Sequence, residues 1–226
     1  MKKFAALFLI AVFLASSFSV AEGKLKATQK ILCATPGEDS AYFFAKIENV
    51  GDEPVGTGSG SLATFTEDDE ILFTTSYIST LPSGIVLQPG EYVYMRDFIW
   101  ETALAENTVA DYKFSIDVDN YPNEVERVPS EVTYSIEGAK GYDNYIYVTF
   151  TNPTEEEIYG FYVSAALLDA EGSVIFAEGT SLNSLAVHPG STITVKLYVD
   201  ADVLTYYAAN GIETAGADSI VFYGKE

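Results

Sequence analysis

The chain has little of the chemistry that enzymes and metal sites usually need. Its 226 residues include one cysteine, one histidine and one tryptophan. A single cysteine excludes an internal disulfide, and we expect Cys33 to be a small buried residue on a strand. A single histidine gives too few ligands for a zinc site, and a catalytic triad could use only His188 as its base. We expect His188 to be a turn residue before Pro189-Gly190. The sequence therefore predicts a protein that is not an enzyme.

Positive charge is also scarce. The chain has 12 Lys and Arg residues against 33 Asp and Glu residues, which gives a net charge of −21. Phosphate groups would repel such a surface, so we expect neither nucleic acid nor an anionic membrane surface as a partner. The acidic groups at 67–70 and 155–157 lie in predicted turns, where solvated carboxylates are usual. An enzyme such as a glycoside hydrolase, which uses two carboxylates, is one alternative, because the sequence does not give the burial or the spacing of the acidic residues.

A long apolar run occurs only at the N-terminus. Lys2 and Lys3 precede the run at 4–15 (FAALFLIAVFLA), and Ser19-Val20-Ala21 follows it. A positive start, a short apolar segment and small residues beside the cut are typical of a secretory signal peptide. We predict that residues 1–21 are cleaved and that the protein is secreted or periplasmic, with no lipid or C-terminal anchor.

Aromatic residues, in contrast, are plentiful, with 16 Tyr and 14 Phe, and they favour strands. The most informative pattern is an internal repeat. Residues 42–49 (YFFAKIEN) correspond to residues 145–152 (YIYVTFTN), and both alternate with a period of two before ending in Asn. Such alternation predicts a strand with one face in a core.

The correspondence continues along the chain. Residues 66–73 match 169–176, where a polar turn precedes an apolar triplet that is typical of a hairpin. Residues 86–90 (VLQPG) then match 186–190 (AVHPG), and each Pro-Gly pair predicts a turn before a further strand.

The repeat predicts two domains of one all-β fold. Strands recur about every ten residues, as in β-sandwiches. Residues 101–107 and 201–209 are short helical candidates that precede the last strand of each copy. We predict two tandem immunoglobulin-like β-sandwich domains, residues 22–118 and 131–226, joined by a linker at 119–130.

Turn and strand residues of the second copy, over roughly 132–200, form a recognisable series. They are Asn152 after the first strand, Leu167-Leu168-Asp169 with Gly172 in the central hairpin, and Pro189-Gly190 before a late strand. In this series the copy resembles the FxLYD-type domain, an immunoglobulin-like bacterial extracellular module. Ala165 and Leu168 stand where that pattern has Phe and Tyr, and the first copy lacks the Leu-x-Asp element. The resemblance implies a secreted or surface accessory module without catalytic residues.

A row of aromatic residues is the first candidate binding site. Tyr92, Tyr94, Phe98 and Trp100 alternate along one predicted strand, opposite the expected core face. An exposed row could stack on sugars or hold a protein partner. The alternative is that another sheet, a helix or the linker covers this face. Asp97 interrupts the core face of the same strand and predicts a β-bulge, the alternatives being a register slip or a buried Asp paired with Arg96 or a backbone amide.

Acidic residues at the domain junction are the second candidate site. Calcium takes several hard oxygen ligands, and extracellular modules often bind it weakly. The candidate ligands are Asp117, Asp119, Asn120, Glu124 and Glu126. The alternative is a solvated linker, and no other cofactor is expected.

These observations favour an exported, non-catalytic binding or interaction module, which would act outside the cytoplasm on an extracellular protein or glycan. A carbohydrate-binding accessory protein that uses the aromatic row is the alternative.

Overall fold

The computed structural model describes residues 23–225, so the predicted signal peptide lies outside the described residues. The described chain is all-β, with antiparallel sheets, as predicted. None of the helices within these residues has the length and apolar character needed to cross a membrane. In chain order the elements are β1 (Leu25–Ala34), β2 (Ser40–Asn49), β3 (Val55–Phe65), β4 (Ile71–Ile78), β5 (Thr80–Leu81), β6 (Val86–Leu87), β7 (Tyr92–Trp100), α1 (Ala103–Glu106), β8 (Asp111–Asp119), β9 (Val125–Val128), β10 (Ser130–Ile136), β11 (Asn144–Thr151), β12 (Tyr162–Leu168), β13 (Val174–Ser181), β14 (Thr192–Tyr198), α2 (Ala201–Asn210) and β15 (Gly216–Gly224).

The first half of the chain forms two antiparallel sheets. One has the strand order β1-β2-β7-β5, and the other has the order β4-β3-β6 with β8 also paired to β3. Phe43 and Ile47 on β2 are fully buried, as their alternation predicts. The Phe43 ring lies 4.9 Å from the Phe114 ring on β8, so these residues join the two sheets through a shared core.

The second half repeats this arrangement. Its sheets have the orders β10-β11-β14 and β13-β12-β15-β9. Ile146, Val148 and Phe150 on β11 are buried, and the Phe150 ring lies 4.9 Å from that of Phe161 beside β12. The segment 119–130, predicted as a linker, contains β9, which pairs with β15 at the edge of the second sheet.

Two details of the backbone show that the halves are built alike. The β3–β4 pairing shifts register between Thr64 and Phe65, and the β12–β13 pairing shifts at the matching residues Leu167 and Leu168. The two Pro-Gly turns place Gly90 and Gly190 at φ of 79° and 68°, where glycine is favoured. The repeat in the sequence is therefore also a repeat in the fold.

Asn49 and Asn152 hold the same loops together in the two halves. Each is buried, with 0% and 1% of its surface exposed, and each side-chain amide donates to two backbone carbonyls. Each side-chain oxygen also accepts from a backbone N–H two residues later in the chain. The carbonyl acceptors are those of Glu53 and Leu87 at 2.8 and 3.0 Å for Asn49, and those of Glu156 and Val187 at 2.9 and 2.8 Å for Asn152.

The helix predicted before the last strand is present in both halves. α1 is a single turn, whereas α2 is a longer helix that is capped at both ends. The Asp200 side chain accepts from the Asp202 N–H at 3.1 Å, and Gly211 ends the helix at φ 67°.

The bulge predicted at Asp97 is wrong. β7 pairs with β2 in continuous register, and Asp97 lies directly opposite Phe43. The carboxyl is half-buried near the end of the strand, where partial contact with solvent makes a regular strand tolerable. Burial raises the pKa of this carboxyl, while the Phe98 N–H and Arg96 lower it.

The Asn hydrogen bonds give a stability prediction. Asn152→Ala removes two donors and one acceptor from a buried site, so we expect the free energy of unfolding to fall by about 2–4 kcal/mol. Asn49→Ala should cost a similar amount because its bonds are equivalent. Urea denaturation measures both, with Asn107→Ala, an exposed residue, as a control that should change stability by less than about 0.5 kcal/mol. A loss below about 1 kcal/mol at either buried Asn would contradict this account.

Candidate functional site

The outer face of the β1-β2-β7-β5 sheet, which carries the aromatic row, contacts the second half of the chain. The hydroxyls of Tyr92 and Tyr94 both donate to Asp218 Oδ2 on β15, at 2.5 Å each. Tyr94 is 1% exposed and Tyr92 is half-buried. Burial raises the pKa of both hydroxyls above the ordinary value, so they stay protonated donors at neutral pH.

Further contacts extend this interface across the sheet. The Phe44 ring on β2 lies 5.1 Å from that of Phe176 on β13, and both are fully buried. Arg96 Nη1 lies 2.5 Å from Glu178 Oε2, at side chains that are about a quarter exposed. The interface therefore combines an apolar centre with hydrogen-bonded and charged groups around it.

The contact with the second half divides the predicted aromatic row. Tyr92 and Tyr94 belong to the interface, as the alternative of a covering sheet predicts for them. Phe98 and Trp100, farther along β7, are 48% and 73% exposed. The structure therefore leaves two rings of the row in contact with solvent.

The register partners of the two exposed rings line a pocket between the two halves. Ser40 and Tyr42 are the register partners of Trp100 and Phe98, and both line the pocket. The pocket has a volume of about 140 Å³. Its other lining residues are Cys33, Thr35 and Glu38 from the first half and Asp202, Val203, Thr205 and Tyr206 from α2. We call the pocket together with Phe98 and Trp100 the aromatic cleft.

Hydrogen bonds and ring contacts fix the aromatic side chains of the cleft. Trp100 Nε1 donates to Asp39 Oδ2 at 2.9 Å, and the Phe98 ring lies 5.0 Å from that of Tyr42. The Tyr42 hydroxyl donates to Asp200 Oδ2 at 2.8 Å. Trp100, Phe98 and Tyr42 are thus held by contacts within the protein.

The cleft contains groups that can stack and form hydrogen bonds, whereas the thiol of Cys33 in its lining is unreactive. Cys33 is 3% exposed, and burial raises the pKa of its thiol to about 12, so little thiolate forms near neutral pH. His188 lies in its Pro-Gly turn, as expected, with Nδ1 2.5 Å from Glu157 Oε2 and a largely exposed ring. The cleft instead presents aromatic faces, hydroxyls and carboxylates, which are groups for stacking and hydrogen bonding.

Several cleft residues escaped the sequence reasoning. Asp39 directly precedes β2 and Tyr42 lies near its start, where the alternation predicts only the core face of the strand. The α2 residues belong to the other half of the chain. No local pattern links these residues, because the fold brings Asp200 to Tyr42 from a distant part of the sequence.

The predicted calcium ligands lie on β8, β9 and the connection between them. Asp119 accepts from the Tyr121 N–H at 2.9 Å, and Glu126 lies 3.9 Å from Lys225 Nζ. Asp117, Asn120 and Glu124 are exposed. Within residues 23–225, no three acidic, histidine or cysteine side chains are grouped so that they could hold a metal ion.

Calcium binding stays a prediction with a direct test. Bound calcium would stabilise the folded chain, so the melting temperature should be higher in millimolar calcium than in EDTA. Identical melting curves in the two buffers would contradict the calcium hypothesis.

The interface between the halves gives a second stability prediction. Asp218→Ala leaves two tyrosine hydroxyls without their acceptor, one of them buried, and should lower the free energy of unfolding by about 1–3 kcal/mol. Asp68→Ala, in an exposed turn, is the matched control and should change it by less than about 0.5 kcal/mol. Equal urea midpoints for the two variants would show that the tyrosine–Asp218 contact does not stabilise the fold.

Comparisons with known proteins leave the family of this chain open. No protein-family model and no curated protein matches the sequence. Among solved structures, red sea bream transglutaminase is 14% identical, with a TM-score of 0.26 over 88% of this chain and 30% of that protein. The C-terminal globular domain of an oligosaccharyltransferase from Pyrococcus abyssi is 8% identical, with a TM-score of 0.24 over 90% of this chain and 48% of that domain. The chain thus spans less than half the length of each of these two structures.

Proposed function

We propose that the protein is an exported, non-catalytic binding module of tandem immunoglobulin-like domains, and that its ligand binds in the aromatic cleft. The observation that carries the proposal is the exposed Trp100 ring, which is fixed by Asp39 and lies opposite Ser40, a residue that lines a pocket. Exposed large aromatic residues with fixed geometry are typical of binding hot spots. The signal-peptide pattern of residues 1–21 supports a site of action outside the cytoplasm.

The composition of the cleft supports binding over catalysis. Its Cys33 thiol is buried and protonated, and the chain's one histidine lies in the Pro189-Gly190 turn. The carboxylates of Asp39 and Asp200 already accept hydrogen bonds from Trp100 and Tyr42, so they hold aromatic side chains in position.

A carbohydrate is the second candidate ligand, and a specific observation favours it. The exposed Trp100 and Phe98 rings lie opposite Ser40 and Tyr42. The pocket that these two partners line also contains the hydroxyl of Thr205 and the carboxylates of Glu38 and Asp202. Sugars carry apolar C–H faces that stack on rings and hydroxyls that bond to carboxylates. A protein partner would use the same rings as an apolar anchor.

Capture experiments with the predicted mature chain, residues 22–226, test the proposal. The immobilised protein is exposed to solubilised envelope material and spent medium of the source cells, and in parallel to a panel of polysaccharides. We expect specific retention that falls by about tenfold to a hundredfold for Trp100→Ala, since hot-spot side chains carry most of the binding energy. Retained protein identifies an interaction module, and retained glycan identifies a carbohydrate-binding protein.

A matched variant separates the cleft from general surface stickiness. Tyr142→Ala removes another ring that is 94% exposed but lies outside the cleft, and it should bind as the wild type does. If Trp100→Ala binds as well as Tyr142→Ala and the wild type, the aromatic cleft is not the ligand site.

A further inference from the structure

The strand positions that form the interface between the halves recur in the opposite halves of the chain, where most of them carry different residues. The docking face is the side of the first-half sheet that contacts the second half, and it comprises Tyr42, Phe44, Tyr92, Tyr94 and Arg96. The repeat places Tyr145, Tyr147, Thr192, Thr194 and Lys196 at the same positions of the β10-β11-β14 sheet. The pairing agrees, because Phe44 lies opposite Arg96 and Tyr147 lies opposite Lys196. We call this second set the repeated docking face.

The receiving side of the interface is repeated in the same way. Asp218 and Gly179 contact the first half, and their register partners on β12 are Ala166 and Ser164, both fully buried. Gly179 is so close to the first half that an added Cβ would lie 3.3 Å from Leu81 Cβ. The matching residues of the first half are Ser61, Ala63, Ser76 and Lys113, which pair with one another in the corresponding register. We call them the repeated receiving face.

Neither repeated face is covered by another part of residues 23–225. On the repeated receiving face, Ser76 and Lys113 are exposed, and Ser61 and Ala63 line a shallow groove of about 410 Å³. On the repeated docking face, Lys196 is exposed with its Nζ 3.5 Å from the centre of the Tyr145 ring. The repeated receiving face is therefore open to solvent on the first half, and the repeated docking face is open to solvent on the second half.

The polar groups of the two repeated faces are complementary, with donor and acceptor exchanged. In the internal interface, the tyrosine hydroxyls of β7 donate to the carboxylate of Asp218. In the repeated pair, Lys113 replaces Asp218, and Thr192 and Thr194 replace the tyrosines. The hydroxyls of Thr192 and Thr194 bond to those of Thr151 and Thr149 at 2.7 and 2.8 Å. Each hydroxyl oxygen keeps a lone pair that can accept from the Lys113 ammonium group of another copy.

We propose that the protein associates with itself head to tail, with the repeated docking face of one copy seated on the repeated receiving face of the next. The two faces differ and lie on different halves, so the contact is heterologous and leaves a free face at each end of a growing chain. The internal interface is the template for the contact, and a second copy of this chain is its partner. This inference is independent of the ligand of the aromatic cleft.

The charge of the chain sets the conditions for association. A net charge of −21 makes copies repel at low ionic strength, and salt screens that repulsion. The repeated pair lacks the tyrosine–carboxylate bonds, so we expect a weak, reversible association that strengthens as the salt concentration rises to ~0.15 M.

Analytical ultracentrifugation of residues 22–226 over a range of concentrations measures the association. We expect the weight-average mass of the wild type to pass twice the monomer mass, since the contact does not close. Tyr147→Glu on the repeated docking face and Ala63→Glu on the repeated receiving face should each weaken association by at least about tenfold. Tyr142→Glu and Ala170→Glu make the same changes at exposed turns and should associate as the wild type does.

Mixing the two face variants tests the heterologous geometry. Each variant keeps one intact face, so the equimolar mixture should form a heterodimer that does not grow further. Circular dichroism and melting verify that each variant folds, and Thr194→Glu and Ser76→Glu, at exposed positions of the same two faces, replace any that does not. A wild type that stays monomeric at millimolar concentration would overturn the proposal. A closed dimer, or a mixture of variants that stays monomeric, would overturn it as well.

Discussion

The interface between the two halves of the chain is centred on two tyrosine hydroxyls that donate to the same carboxylate. Tyr92 and Tyr94 present aromatic rings that favour burial and hydroxyls that require an acceptor. Asp218, from the far end of the chain, supplies that acceptor. Because buried polar groups are costly when unpaired, the two requirements are met together only when the second half lies against the first. This contact acts together with the Phe44–Phe176 and Arg96–Glu178 contacts to hold the two halves against each other.

The aromatic cleft is a consequence of where that contact ends. The second half covers Tyr92 and Tyr94 but leaves Phe98 and Trp100 exposed on the same strand. Helix α2 then forms the second wall of the pocket beside them. The candidate site therefore belongs to both halves, and neither repeat contains it alone. A binding role suits this position, since the groups that surround the cleft orient rings and offer hydrogen bonds.

Much of each half could be predicted from local sequence. Alternation in 42–49 and 145–152 gave the core faces of β2 and β11, because side chains of a strand with one buried face must alternate. The Pro-Gly turns and the repeat gave the strand order along the chain. The repeat also predicts that Asn49 and Asn152 end their strands. It does not predict their buried hydrogen bonds, because the carbonyl acceptors belong to distant segments of the chain.

The site was harder to predict because its determinants are not local. Tyr94 and Trp100 follow the same alternation, yet one is buried and the other exposed, since only the first lies under Asp218. The segment 119–130 is predicted as a linker because it has two prolines and mostly polar residues, but the backbone of residues 125–128 within it completes the edge of a sheet. An Asp on the core face of β7 predicts a bulge at Asp97. The strand is regular, because the position near the strand end keeps the carboxyl half-exposed.

The central claim is that the internal interface makes the two repeats one cooperative unit, and differential scanning calorimetry of residues 22–226 tests it most directly. The account predicts a single transition whose calorimetric and van't Hoff enthalpies agree, because neither half keeps its buried face without the other. Two separate transitions, each with the enthalpy of about half the chain, would show that the repeats unfold independently and would contradict the account.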